Sequence, residues 1–145
     1  MSIETHVFFR GSLPPVADLR NAIQELGFPF VIDETVDSLE GQDGFMPMAR
    51  GEEETGCEFD VHSGPDAIED WTEFGVDPSY EHVANLRWGS DYQEAVAGMC
   101  TAAALAKLLG DSVVYDEAED RLMNVEEAIE AARNELRNLR EGDRE

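Results

Sequence analysis

Basic side chains are scarce in this chain of 145 residues. Lysine and arginine together number 10, Lys107 is the only lysine, and 33 acidic residues bring the formal net charge to −23. Binding to a nucleic-acid backbone, or to an anionic membrane surface, needs cationic side chains that replace counterions. The composition disfavours both and favours a basic partner, which the charge would steer towards the chain. Solubility, or adaptation to a salty cytoplasm, explains the same charge without any partner.

Long apolar runs and cysteines are also scarce. No apolar run approaches the roughly 18 residues of a membrane-spanning helix, and the N-terminus lacks the basic and apolar regions of a signal peptide. Two cysteines, Cys57 and Cys100, do not make a disulfide framework. We therefore expect buried thiols and a cytoplasmic protein without a membrane span.

Catalytic and cofactor motifs are missing as well. Gly-Ser pairs at 11–12 and 89–90 each precede a predicted helix, but neither belongs to the glycine pattern of a phosphate loop. Ser90 is not surrounded by the GxSxG sequence of a hydrolase nucleophile. The sequence thus predicts no catalytic residue and no cofactor, which favours a non-enzymatic protein without establishing one.

The stretch 88–116 organises the predicted fold. It reads as the end of a strand, a long apolar helix from Tyr92 to Leu109, and a second strand. Ser90 with Gln93 matches a capping box at the start of this helix, and Gly110 ends it. Because the helix carries so few charges, we expect it to be covered on most of its surface.

The remaining elements alternate between strands and helices. Besides the helix at 91–109, helical patterns lie near 14–26 and 125–140, and a shorter one lies within 66–74. Strand patterns lie at 5–10, 28–33, 44–48, 57–62, 82–88 and 113–115, with a short return at 121–123. Residues 1–145 are therefore predicted to form a single α+β domain with a frayed acidic tail at 141–145. We expect a mixed or mainly antiparallel sheet of about five or six strands, packed by three main helices. Strand–helix–strand units at 10–33 and 88–116 resemble each other, which is compatible with a pseudo-duplication.

Two acidic loops are the predicted partner-binding residues. The segment 52–56 reads as a hairpin turn, and 116–120 reads as a turn between two strands. The acidic residues concerned are Glu52, Glu53, Glu54, Asp116, Glu117, Glu119 and Asp120. A cluster of aromatic residues could supply apolar anchors beside them if it were exposed: Trp71, Phe74, Tyr80, Trp88 and Tyr92.

One strand offers an alternative metal site. Glu58, Asp60 and His62 alternate along it, so they share a face, and His6 or His82 could approach from a neighbouring strand. Such oxygen and imidazole ligands suit a first-row divalent ion. A solvated strand face requires the same alternation of polar residues, so both interpretations stay open.

The leading hypothesis is a small acidic protein–protein interaction module, monomeric or homodimeric, whose acidic surface binds a basic partner. The alternative is a small-ligand or divalent-metal-binding domain with a cleft near Glu58, Asp60 and His62. In being small, acidic and without a catalytic motif, the chain is similar to bacterial immunity-type proteins and to acidic inhibitors that imitate nucleic acid. The sequence identifies neither partner nor ligand, and it does not separate a functional acidity from a solubilising one.

Overall fold

One antiparallel sheet of seven strands carries the fold of the computed structural model, which describes residues 3–142. In chain order the strands are β1 (Ile3–Phe9), β2 (Val31–Ile32), β3 (Gly44–Arg50), β4 (Glu53–Ser63), β5 (His82–Trp88), β6 (Ser112–Asp116) and β7 (Arg121–Met123). Across the sheet the order is β2-β3-β4-β5-β1-β6-β7. The α+β prediction is confirmed, but the strand count of five or six was too low. The strands at the two edges, β2 and β7, have only two and three residues, although a strand pattern is predicted at both places.

Three long helices cover one face of this sheet: α1 (Val16–Glu25), α3 (Tyr92–Leu109) and α4 (Val125–Gly142). As its low charge predicted, α3 is largely buried, with alanines 97, 102, 103, 104 and 106 all inside. Gly98 permits this close approach, since a Cβ there would lie 2.6 Å from Cε3 of Trp88. The main core therefore lies between α3 and the middle of the sheet.

A second, smaller core lies on the opposite face. It is built from Phe8, Ile68, Val76, Tyr80, Val83 and Tyr115. The short helix α2 (Pro65–Glu69) and the 3-10 turn Thr72–Phe74 cover it. Ile68 belongs to this second core, and Trp71 packs against it.

Several local predictions need correction. The N-cap of α3 is Asp91, whose side chain accepts a hydrogen bond from the backbone N–H of Glu94, and Ser90 precedes it. The predicted strand 28–33 shrinks to β2, because it has only two residues paired with β3. The hairpin turn is at Gly51 and Glu52, so the rest of the segment predicted as a turn, 53–56, belongs to β4.

The two strand–helix–strand units are not equivalent in the sheet. β5 and β6 are separated by β1 alone, whereas β1 and β2 are separated by three strands. Cys57 and Cys100 are buried free thiols as predicted, and burial raises the pKa of the Cys57 thiol to about 12. Of the tail predicted to fray, Glu141 and Gly142 belong to α4, and 143–145 lie outside the described residues.

Candidate functional site

A cleft of about 550 Å³ lies between α3, α4 and the turn that joins β6 to β7. Its floor is apolar, because Trp88, like Leu86 two residues earlier on β5, faces the main core. In addition, Met99 on α3 and Met123 on β7 both line the cleft. The apolar lining residues are Ile3, Trp88, Ala95, Met99, Ala118, Met123 and Ala131. Such a floor can hold the apolar part of a ligand or of a partner side chain.

The rim of the cleft is acidic. Five carboxylate residues line it, against one arginine among the described lining residues. The five are Asp116, Glu119, Glu127, Glu130 and Glu135. The arginine, Arg121, donates a hydrogen bond to Glu127 at 2.9 Å, so its positive charge mainly offsets the negative charge of that carboxylate. Glu119 and Glu130 are exposed, so a cationic group that approaches from solvent meets their charges.

Asp116 is the buried member of this acidic set, with 3% of its surface exposed. Burial raises the pKa of its carboxyl group, and the hydrogen bond from the backbone N–H of Ala118 at 3.1 Å partly opposes that effect. Thr5 lies directly opposite on β1, and its buried hydroxyl has no hydrogen-bond partner among residues 3–142. A desolvated carboxylate is stabilised by an incoming positive charge more strongly than an exposed one is.

Tyr92 stands at the edge of the cleft on the first turn of α3 and is 44% exposed. Its hydroxyl donates a hydrogen bond to the Glu135 carboxylate on α4. Partial burial, together with this bond, raises the pKa of the Tyr92 hydroxyl to about 12. The hydrogen bond therefore links the two helices across the mouth of the cleft.

The predicted residues of the 116–120 turn separate onto both sides of the sheet. Asp116 and Glu119 line the cleft. Glu117 instead points to the opposite face, 3.3 Å from His6, and Asp120 accepts a hydrogen bond from Tyr115. Alternation along β6 places Asp116 and Tyr115 on opposite faces, whereas Glu117, Glu119 and Asp120 follow in the turn beyond the strand.

The second acidic loop lies at the same end of the sheet as the cleft. Glu52, Glu53 and Glu54 are all exposed, at the β3–β4 hairpin. The start of β4, the end of β5, the start of β1 and the end of β6 meet at this end. Both predicted acidic loops therefore project from one end of the molecule.

The predicted aromatic cluster is divided between the two faces. Trp88 and Tyr92 belong to the cleft, whereas Trp71, Phe74 and Tyr80 lie by the second core. Phe74 is 44% exposed there and contacts Trp71 and Tyr115. The cleft thus has aromatic residues beside an acidic rim, but Trp88 and Tyr92 alone of the predicted five contribute to it.

The face that carries Glu58, Asp60 and His62 is the face of the second core. Their alternation is observed, since of the two residues between them Phe59 is buried and Val61 is half-buried. Oδ1 of Asp60 lies 3.2 Å from Nε2 of the exposed His62. The same oxygen accepts a hydrogen bond from the amide nitrogen of Asn85 at 2.8 Å. Among residues 3–142, however, the donor atoms that lie within 4.8 Å of one another belong to Glu4, His6 and Glu117. Metal binding by Glu58, Asp60 and His62 stays a prediction.

From the sequence we did not predict that residues of α4 line a cleft. The signal was a polar stripe beside the apolar one: residues 127, 130, 131, 134 and 135 follow helical spacing and all line the cleft. The same glutamates are also spaced to pair with arginines 133, 137 and 140 on their own helix. Intrahelical pairing and a shared cleft wall give the same periodicity, so the pattern alone did not distinguish them.

Comparison of the sequence with models of protein families and with curated proteins finds no match. None of the helices within residues 3–142 combines the length and the apolar content needed to cross a membrane.

Proposed function

We propose that this chain is a non-enzymatic, cytoplasmic interaction module that binds a basic segment of a partner protein in the cleft between α3 and α4. One observation carries the proposal: an apolar floor that includes Trp88 is rimmed by five carboxylate residues, one of them the buried Asp116. The combination suits a lysine or arginine side chain, whose stem is apolar and whose head is charged. An inhibitor- or immunity-type role against a basic target site agrees with it.

The cleft divides the work of binding between its floor and its rim. The methylene stem of a basic side chain would lie along Met99, Met123 and Trp88, which removes apolar surface from water. Its guanidinium or ammonium head would then reach Asp116, where its positive charge offsets the desolvation free energy of the buried carboxylate. The exposed glutamates at the rim would mainly accelerate the encounter.

Charge-reversed baits test this proposal. The tagged chain is used to capture proteins from a lysate of its own host, alongside a rim variant with Glu119→Lys and Glu130→Lys. The matched control carries Asp37→Lys and Glu40→Lys, two exposed positions with the same change in charge. Glu40 lines a pocket with Phe9 and His82, at the opposite end of the sheet.

We expect one basic protein to be retained by the wild-type chain and by the control, to be lost from the rim variant, and to leave the wild-type chain at moderate salt. Equal retention by all three baits would place binding elsewhere. The purified partner should then change the fluorescence of Trp88 in a Trp71→Phe background, since the chain has two tryptophans.

A further bait extends the test to the hairpin. Glu52→Lys with Glu53→Lys changes the other predicted loop, which projects from the same end as the cleft. Partial loss of retention would mean that the contact surface spans both loops. Full retention would confine it to the cleft.

A further inference from the structure

A row of polar side chains crosses the sheet on the face opposite the cleft. Asp60 on β4, Asn85 on β5, His6 on β1 and Tyr115 on β6 are successive neighbours in the strand register. His6 is only 3% exposed, and the ring of Trp71 lies 4.4 Å from its imidazole ring, centroid to centroid. Burying an imidazole requires that both ring nitrogens have partners.

The hydrogen bonds in this row fix which nitrogen of His6 carries a proton. The Asn85 amide nitrogen donates to Oδ1 of Asp60 at 2.8 Å, so the amide oxygen of Asn85 must face His6. That oxygen can only accept, and it lies 2.6 Å from Nδ1. Nδ1 therefore donates, and Nε2 is the nitrogen left for another interaction.

Nε2 faces a carboxylate. It lies 3.3 Å from Oε2 of Glu117, whose side chain is 43% exposed. A neutral imidazole with its proton on Nδ1 would direct a lone pair at this acceptor, so the contact is favourable only with a proton or a bound cation between the two atoms.

Glu4 brings a second carboxylate to the same place. Donor atoms of Glu4, His6 and Glu117 all lie within 4.8 Å of one another. Arg87 donates to Oε1 of Glu4 at 2.9 Å and holds that carboxylate in position. Asp60 and Glu58 also lie near Arg87, so three carboxylates surround one guanidinium and their charges outweigh its own.

We propose that Glu4, His6 and Glu117 bind a first-row divalent cation such as zinc, with Nε2 of His6 as the nitrogen ligand. Two ligands of a tetrahedral zinc ion, each about 2.1 Å from it, lie about 3.4 Å apart. The spacing of 3.3 Å between Nε2 and Glu117 already matches this value. The wider separations involve Glu4, so its carboxylate must rotate towards the other two ligands, and water completes the coordination.

The Asn85 and Asp60 pair then has a defined role behind the metal. Histidine ligands commonly donate their second N–H to a carbonyl or carboxylate group, which fixes the ring and makes the ligating nitrogen more basic. The carbonyl of Asn85 takes that position here, and Asp60 holds Asn85. These residues come from β4 and β5, far in sequence from Glu117, so the folded sheet assembles the site.

Isothermal titration of the full chain with zinc tests the proposal. We expect one ion per chain and a loss of affinity of at least tenfold in Glu117→Gln, which removes a ligand at an exposed position. Glu119→Gln is the matched control, because it makes the same change two residues away on the cleft side. The exposed His62→Ala is a second control. Both controls should keep the wild-type affinity.

Fluorescence gives an independent readout. In a Trp88→Phe background the remaining tryptophan is Trp71, beside His6, so cobalt at the site should quench it, and quenching should weaken in Glu117→Gln. Failure of the wild-type chain to bind zinc would overturn the proposal. Binding that survives Glu117→Gln but is lost in His62→Ala would overturn it in favour of Glu58, Asp60 and His62.

Discussion

At the scale of single residues, the sequence predicted chemical type better than location. The sequence predicts roles for both His6 and Glu117, the first as a metal ligand beside Asp60 and His62, the second as a contact for a basic partner. They meet each other instead, because β1 pairs with β6. Side-chain alternation fixes which residues share a face of one strand, whereas the neighbour across the sheet depends on pairing between distant segments.

Asp116 provides a prediction at this scale. Burial raises the pKa of its carboxyl group in the folded chain above that in the unfolded chain. Between those two pKa values the folded chain binds more protons, so the free energy of unfolding falls as the pH rises through that window. Asp116→Asn removes this effect and keeps an oxygen that accepts from Ala118. We expect the variant to be more stable than the wild-type chain at pH 7, with the difference vanishing towards acid.

Urea unfolding of both chains at pH 7 and at acid pH measures this difference. Glu119→Gln, an exposed position in the same turn, controls for the general relief of negative charge and should have a smaller effect. Equal gains in the two variants would contradict a specific role for burial. If the cleft binds a cationic group, Asp116→Asn should also weaken partner binding while it stabilises the fold.

At the scale of elements, periodicity located the three long helices and the central strands, and their ends were less well predicted. The capping box of Asn124 and Glu127 at the start of α4 has both of its reciprocal hydrogen bonds. At α3 the predicted cap was one residue early, since Ser90 and Asp91 are both good N-cap residues with a suitable partner three positions later. Sequence alone does not decide between adjacent caps, because the choice depends on how β5 delivers the chain to the helix.

The two possible caps give opposite expectations for mutation. Asp91→Ala should lower the free energy of unfolding by about 1 kcal/mol, because it removes the bond to the N–H of Glu94 and a negative charge at the helix start. Ser90→Ala, at an exposed position outside the helix, should change it by less than about 0.5 kcal/mol. Urea unfolding of the two variants under the same conditions makes the comparison. The reverse ranking would mean that Ser90 caps the helix in solution.

At the scale of the whole molecule, the order of the strands in the sheet could not be predicted from the sequence. β1 lies between β5 and β6, which follow it by more than 70 residues, and no local pattern specifies such neighbours. That order has a consequence for charge. It brings the 52–54 and 116–120 segments to one end of the sheet, with β4 and β6 about 14 Å apart at three strand spacings. The two predicted acidic loops therefore lie at the end of the sheet where the cleft opens.

The net charge of −23 gives a prediction for the whole chain. Repulsion among so many carboxylates destabilises the compact state, and salt screens it. Raising sodium chloride from about 10 mM to about 500 mM should therefore stabilise the chain at pH 7 by about 1 kcal/mol, equivalent to roughly 2–4 °C in melting temperature. At pH 4, close to the ordinary pKa of aspartate and glutamate, the gain should shrink. An equal gain at both pH values would assign it to a general salt effect rather than to charge.

The same series of sodium chloride concentrations distinguishes an acidity that serves solubility from one that serves binding. Screening weakens attraction between the acidic cleft and a basic partner as well as repulsion within the chain, so one salt should raise the melting temperature and lower partner affinity. If the charge serves solubility alone, only the first change occurs. Melting and binding measured in the same series of buffers, with the Asp37→Lys and Glu40→Lys chain as the control for net charge, would show whether the two move in opposite directions.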